Sequence, residues 1–483
     1  MTALQRAIAH PVPVPGVRST SPVTGLDRRS VGAWDVLGQS VAAVAPAAAA
    51  TTIPVLVAAS AGGAALPAVV AATVLAMLVS VAVNVFARRM AATGSLYTFV
   101  SRSLGARAGV VTGVAILVGY TFIAMFALTG AAFYLGPLAQ HLGITVLVLP
   151  FLAIPVLVVP LAGARRSTRV EVVMEGTSVL LIAVLGVALL VRTGPPDFSG
   201  MTHAVTAPGM VVGTVLALTA FVGFESASTL GVEARRPFTT VPRAVTWTVV
   251  VSGVTYVGAV TVQLTAFHAL GRDLGTSASP VNALSAAFGP PWLAGVLDVA
   301  VAMSFLACAI ASATAMARIL FAMGRELVLP ERFGRADPVR QVPTVATRTA
   351  VALIVGPPVV AAGLGLDLQT LMHVLIVIAA AGFLTAYVLV CVAAPIFTRR
   401  IGEPHPWTTV LSWSGAVLTS ASLMTFLVVQ VRTAHAAATW AFVVLLVAGT
   451  ALGWLRLARS PVARERVGLY DEPTSQDVLG GDS

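Results

Sequence analysis

Runs of about 20 apolar residues, each long enough for a helix to cross the hydrocarbon core of a bilayer, recur along the chain from residue 31 to residue 457. Of the 483 residues, 57% are hydrophobic and 10% charged, against roughly 25% charged in a soluble domain, so a soluble globule could not bury this much apolar surface. In lipid the backbone N–H and C=O groups find no outside partner, and each run must satisfy its own by forming a helix. The expected fold is all-α, one polytopic membrane domain of about twelve transmembrane helices in a lipid bilayer.

The charges then set the topology. All 29 basic residues are Arg, and the net charge of +10 is not gathered into a stripe with interleaved aromatics, which removes nucleic acid as a partner. The Arg residues fall on alternate loops instead. With the N-terminus placed inside, the outer loops hold Arg192, Arg272 and Arg432 and the inner side holds the other 26. This asymmetry is that of a multi-pass protein of the cytoplasmic membrane with both termini cytoplasmic. The first thirty residues hold four Arg, four Pro and no apolar core of a signal peptide, so 1–30 reads as a disordered cytoplasmic tail. The transporter domain covers 31–458 and a polar cytoplasmic tail 459–483. Cys308 and Cys391 lie in apolar segments without metal or redox spacing and read as packing residues.

Two of the apolar segments are interrupted. The first carries Pro46, which removes a backbone donor and clashes with the preceding turn, so a break near Val44–Pro46 is expected. The sixth reads TAFVGFESASTLG from Thr219 and holds Gly223 and the carboxylate Glu225. An ionisable group at that depth is retained only where it faces a cavity or a partner. The two segments open successive units of five spans, about 31–192 and 208–396, with extra helices at about 408–457. Five is odd, so the units insert with opposite orientation, which points to a 5+5 inverted repeat with its site between the broken helices. A break frees N–H groups at one new end and carbonyls at the other, a pair of ends that suits a carboxylate and an ammonium.

FVGFES followed by VEARRPFTTVPRA resembles the sixth-span signature of the amino acid–polyamine–organocation (APC) permeases. RILFAMGRELVLPERF (Arg318–Phe333) is similar to the end of that family's eighth span, and GSLYTFVSRSLG (Gly94–Gly105), too short and polar to span, resembles the interfacial helix after its second span. The matches follow the family's order and cover spans one to ten. The resemblance implies a secondary transporter that moves an amino acid by alternating access, with proton-coupled uptake or exchange. A carrier of polyamines or other organic cations, or a sensor on the same scaffold, stays open as the alternative.

The resemblance also places the site. Val44, Ala45, Pro46, Ala47 and Ala48 would take the substrate carboxylate, although many members have Gly-x-Gly where this chain reads Pro46-Ala47-Ala48. Phe221, Gly223, Phe224 and Glu225 fall on the substrate and gating stretch, with Phe221 as lid and Tyr120 as a further aromatic candidate. Some members place a lysine where this chain has Ser178, and Glu175 and Glu225 remain as intramembrane carboxylates that could carry a proton. Ser312 and Thr314 lie where sodium-coupled relatives place hydroxyl ligands, beside the bland reading that each bonds a carbonyl one turn back. Arg318 and Arg325, seven apart, are candidates for an inner gate with Asp35, Glu233 or Glu326. The seven His are scattered without metal-ligand spacing, and no phosphate-binding loop or catalytic cluster is present. No metal, cofactor or enzymatic activity is expected.

Overall fold

The computed structural model describes residues 21–195, 207–277, 280–290, 292–433 and 436–472. In chain order its helices are α1 (Ala33–Val44), α2 (Pro46–Ala61), α3 (Ala65–Ala87), α4 (Leu96–Leu104), α5 (Ala106–His141), α6 (Val148–Leu161), α7 (Ala164–Thr193) and α8 (Ala207–Thr219). The second half continues with α9 (Pro237–Ala269), α10 (Pro280–Phe288), α11 (Trp292–Arg325), α12 (Thr344–Gly363), α13 (Leu368–Arg400), α14 (Pro406–Val431), α15 (Ala436–Arg459) and α16 (Pro461–Arg466). Among the described residues, ten helical stretches are long and apolar enough to cross a membrane, with Ala33–Ala87 counted as one, and α6 is a shorter apolar helix. No β-strand occurs among the described residues. Val417, Met424, Val444 and Val447 on α14 and α15 are each at least 61% exposed, a surface suited to lipid and costly in water.

Both expected breaks are present. α1 and α2 are separated by Ala45 alone. Pro46 lacks an N–H and its ring excludes a carbonyl one turn back, so α1 stops and α2 restarts with proline at its first position. Ala45 adopts φ 51°, ψ 59°, a left-handed conformation that costs an L-residue about 1–2 kcal/mol. At the second break α8 gives way to a turn over 220–223 and then to a 3-10 helix, Phe224–Leu230. Gly223 joins the two at φ 97°, where a side chain would be strained. A Cβ at Gly223 would also lie 3.0 Å from Ala43 O, so the two breaks are in contact.

The rest of the bundle holds these breaks in place. α5 packs against α11 and α13, and α1 lies among α7, α9 and α11. Small residues permit the closest crossing: a Cβ at Gly382 would come within 2.6 Å of Ala115 O, so α5 and α13 meet backbone to backbone.

Residues 21–28 and Asp471 meet on one face, the terminal face. Val23 and Leu26 are buried, and Asp471 accepts hydrogen bonds from Ser21 Oγ and from Arg28 Nη2, the latter at 3.0 Å. Asp471 N–H donates to Ala91 O at 2.7 Å. Residues 21–30 are therefore packed rather than a free tail, because two apolar side chains and a buried acid anchor them. Residues 1–20, 196–206 of the outer loop and 473–483 of the C-terminal tail lie outside the described residues.

Candidate functional site

Glu225 sits at the second break, fully buried, and its carboxyl group is gripped from two helices. Tyr120 Oη of α5 donates to Oε1 and Tyr387 Oη of α13 to Oε2, both at 2.6 Å. Gly223 N–H donates to Tyr387 Oη at 3.1 Å, so the tyrosine ties the broken backbone to the acid. Phe224 lies 5.3 Å from the Tyr387 ring, and Phe383 packs edge-on to Tyr120 at 4.9 Å. Phe221, expected as a lid, is instead buried edge-on against Tyr256 at 5.0 Å, because Tyr256 Oη donates to Ala220 O at 2.8 Å and holds the turn over its ring.

At the first break the donors are already in use. Ala47 N–H donates to Glu175 Oε1 of α7 at 3.0 Å and Ala48 N–H to Ser304 Oγ of α11 at 3.1 Å. Ala49 N–H returns to Ala45 O at 3.0 Å. The backbone at Val44–Ala48, expected to receive a substrate carboxylate, thus caps itself with side chains of the protein.

The remaining coupling candidates disperse. Ser178 Oγ bonds Met174 O one turn back. Ser312 Oγ lies 3.9 Å from Cys308 Sγ, and Thr314 Oγ1 lies 3.4 Å from Ser167 Oγ, so the two hydroxyls do not converge. Carbonyls nearby are taken: Cys308 Sγ–H donates to Ala43 O at 3.1 Å and Gln39 Nε2 to Ala311 O at 2.8 Å. Ser167 Oγ donates to Glu171 Oε1 at 2.7 Å. Glu171 and Glu175 are both buried and lie one helical turn apart, a spacing visible in the sequence once α7 is read as a helix with one buried face. None of the ion pairs among the described residues involves Glu171, Glu175 or Glu225.

On the terminal face, Arg318 makes a two-pronged pair with Glu233, Nε to Oε2 at 2.6 Å and Nη2 to Oε1 at 2.9 Å. The other gate candidates go elsewhere. Asp35 caps α1 by accepting from Gly32 N–H at 3.2 Å and lies 3.8 Å from Arg169 Nε. Arg325 Nη2 donates to Pro22 O and Thr24 Oγ1 at 2.9 Å. Residues 29–31 pair with 232–235 through Val31 N–H to Glu233 O at 2.8 Å and Arg235 N–H to Val31 O at 3.0 Å, which joins the segments flanking the two broken helices.

Just beyond α11, Glu326 accepts from Tyr97 Oη and from Leu469 N–H, the latter at 2.7 Å. Burial pushes its carboxyl from 4.5 up to about 8, against the lowering effect of these donors and of Arg102. Docking of the C-terminal segment therefore takes up a proton and weakens as pH rises between about 4.5 and 8, since the released, exposed acid binds protons less tightly. Hydrogen-exchange protection factors of the Leu469 amide should fall across that window and stay level in Glu326→Gln.

A cavity of about 370 Å³ begins at the breaks, where Ala43, Val44, Ala45, Ala220 and Val222 line it. It continues between Tyr134, His373 and Gln430, near the ends of α5, α13 and α14 that lie away from the terminal face. A fold of broken membrane helices around such a cavity fits a membrane transporter.

Comparison with known proteins agrees on the class. The amino acid permease family model matches residues 35–449, and the chain belongs to that family of multi-pass membrane transporters. It is 22% identical over 281 residues to the branched-chain amino acid permease BcaP of Bacillus subtilis, covering 54% of this chain and 60% of that one. It is 25% identical over 258 residues to the low-affinity putrescine importer PlaP of Escherichia coli, covering 51% and 56%. These alignments span little more than half the length of either relative. The crystal structure of a manganese transporter from Eremococcus coleocola, in complex with an aromatic bis-isothiourea compound, superposes with a TM-score of 0.55 at 14% identity over 90% of this chain and 95% of that chain.

Proposed function

We propose that this protein is a secondary active transporter that carries a small amine-bearing organic solute, an amino acid or an amine, by alternating access. Counting Ala33–Ala61 and Ala65–Ala87 separately and adding Val148–Leu161 gives twelve spans, ten of them in two inverted repeats. The Arg distribution supports a cytoplasmic terminal face. The observation that carries the reading is the contact of two broken helices at the floor of a cavity, with Gly223 against Ala43.

The cavity reaches away from the terminal face, and on that face Arg318–Glu233 and the pairing of 29–31 with 232–235 form the closed gate. Alternating access then requires these contacts to part while the opposite side closes. Glu225, buried with two tyrosine donors and no paired cation among the described residues, is the candidate proton carrier.

Uptake into proteoliposomes of labelled amino acids and amines, under imposed proton or sodium gradients, tests the function. We expect accumulation of at least one amine-bearing solute under an inward proton gradient. Absence of accumulation and of exchange for every solute under either gradient sinks the proposal.

A further inference from the structure

The half-helices beside the cavity keep their freed N–H donors for the protein. At the start of α2, Pro46 has no N–H, and the next three go to Glu175, Ser304 and Ala45 O, so each of the four N-terminal positions is accounted for. At the second break Gly223 N–H is held by Tyr387 Oη and Ser226 N–H by Gly223 O at 2.9 Å. What lines the cavity is the opposite kind of terminus: Val44 ends α1 and Thr219 ends α8, while the neighbouring Ala43 O and Ala220 O already accept from Cys308 Sγ and Tyr256 Oη. The C-terminal end of a helix carries partial negative charge and favours a cation. Much of the remaining wall is apolar, including Ile53, Ile123, Phe126 and Phe305.

Glu175 is the residue that makes the difference. It is 2% exposed, its Oε1 holds Ala47 N–H, and its Oε2 is buried without a hydrogen-bond partner among the described residues. A carboxylate on the cargo would have to displace it and leave a buried acid without its donor. Resting on the transporter reading above, we infer that Glu175 is a specificity-determining residue that occupies the N-terminus of α2 in place of a substrate carboxylate. The cargo is then a small organic amine with an apolar body and no carboxyl group, its ammonium held at the C-terminal ends of α1 and α8, where Val44 and Thr219 line the cavity.

The test compares solutes that differ only in the carboxyl group: 3-methylbutylamine against leucine, and phenethylamine against phenylalanine. Counterflow in proteoliposomes and thermal stabilisation of the purified full-length protein are both measured. The wild type should prefer each amine by ~10-fold or more, the factor expected when a charged hydrogen bond must be given up. In Glu175→Ala, which frees Ala47 N–H, the preference should shift toward the amino acid by a similar factor. In Glu175→Gln, which retains an acceptor for Ala47 N–H, leucine should still be rejected while amine uptake falls; this variant serves if Glu175→Ala does not fold. A wild-type preference for leucine and phenylalanine overturns the inference and leaves the transporter standing. If no solute moves, the transporter reading fails instead. Stabilisation by the amines over the amino acids then still supports the role of Glu175, and the reverse order, or none by either, overturns it.

Discussion

Arg318→Ala is expected to destabilise the folded protein by about 3–5 kcal/mol, the usual cost of removing one partner of a buried ion pair. Arg318 is 5% exposed and Glu233 is 2% exposed, and loss of the guanidinium leaves the Glu233 carboxylate without its two charge-assisted bonds. Thr314 O, which accepts from Arg318 Nη1 at 3.1 Å, also loses that donor. Glu233→Gln should show a similar loss. The double substitution Arg318→Met, Glu233→Leu should recover much of the stability, because an apolar pair of similar volume carries no desolvation cost. Thermal unfolding in detergent of the wild type, Arg318→Met, Glu233→Leu and the double variant, which close a cycle, measures the coupling. Additive effects of the two single substitutions would show that the pair contributes nothing as a pair. If the pair is also the closed gate, the recovered double variant should fold yet transport with altered kinetics.

Glu225→Gln should abolish gradient-driven accumulation while exchange of cargo across the membrane continues. The amide has the shape of the acid, and the hydroxyls of Tyr120 and Tyr387 can rotate to accept as well as donate, so the break keeps its form. The amide has no carboxyl proton to give up, and coupling to a proton gradient is lost with it. Uptake under an inward proton gradient, set beside counterflow without one, separates the two effects. Unchanged accumulation would remove Glu225 from the coupling step. Tyr387→Phe is the structural control: it strips a donor from the buried acid and an acceptor from Gly223 N–H, at a cost of roughly 1.5–3 kcal/mol.

Much of the architecture was legible because the bilayer acts through composition. A long apolar run has one way to satisfy its backbone in lipid, and proline has one way to end a helix, so the spans and the break after Val44 follow from local chemistry. Glu225 was legible for the same reason, as an acid where acids are costly. Its partners were not: Tyr120 and Tyr387 lie 105 and 162 residues away in the chain. The sequence offers no spacing rule for hydroxyls that meet only through helix packing. Phe221, expected as a lid, packs under Tyr256 here, and an aromatic beside a break reads the same in sequence whether it turns toward the cavity or away from it.

The sequence by itself determined that this chain is a bundle of membrane helices, that two of them break, and that a carboxylate stands at the second break. These follow from solvent, from backbone donors and from residue order, which act over one or two helical turns. Only the tertiary structure decided who fills the broken ends. Whether Ala47 N–H meets a ligand or Glu175 depends on how α7 lies against α2, and hydropathy fixes that a helix spans without fixing which of its faces meets which neighbour.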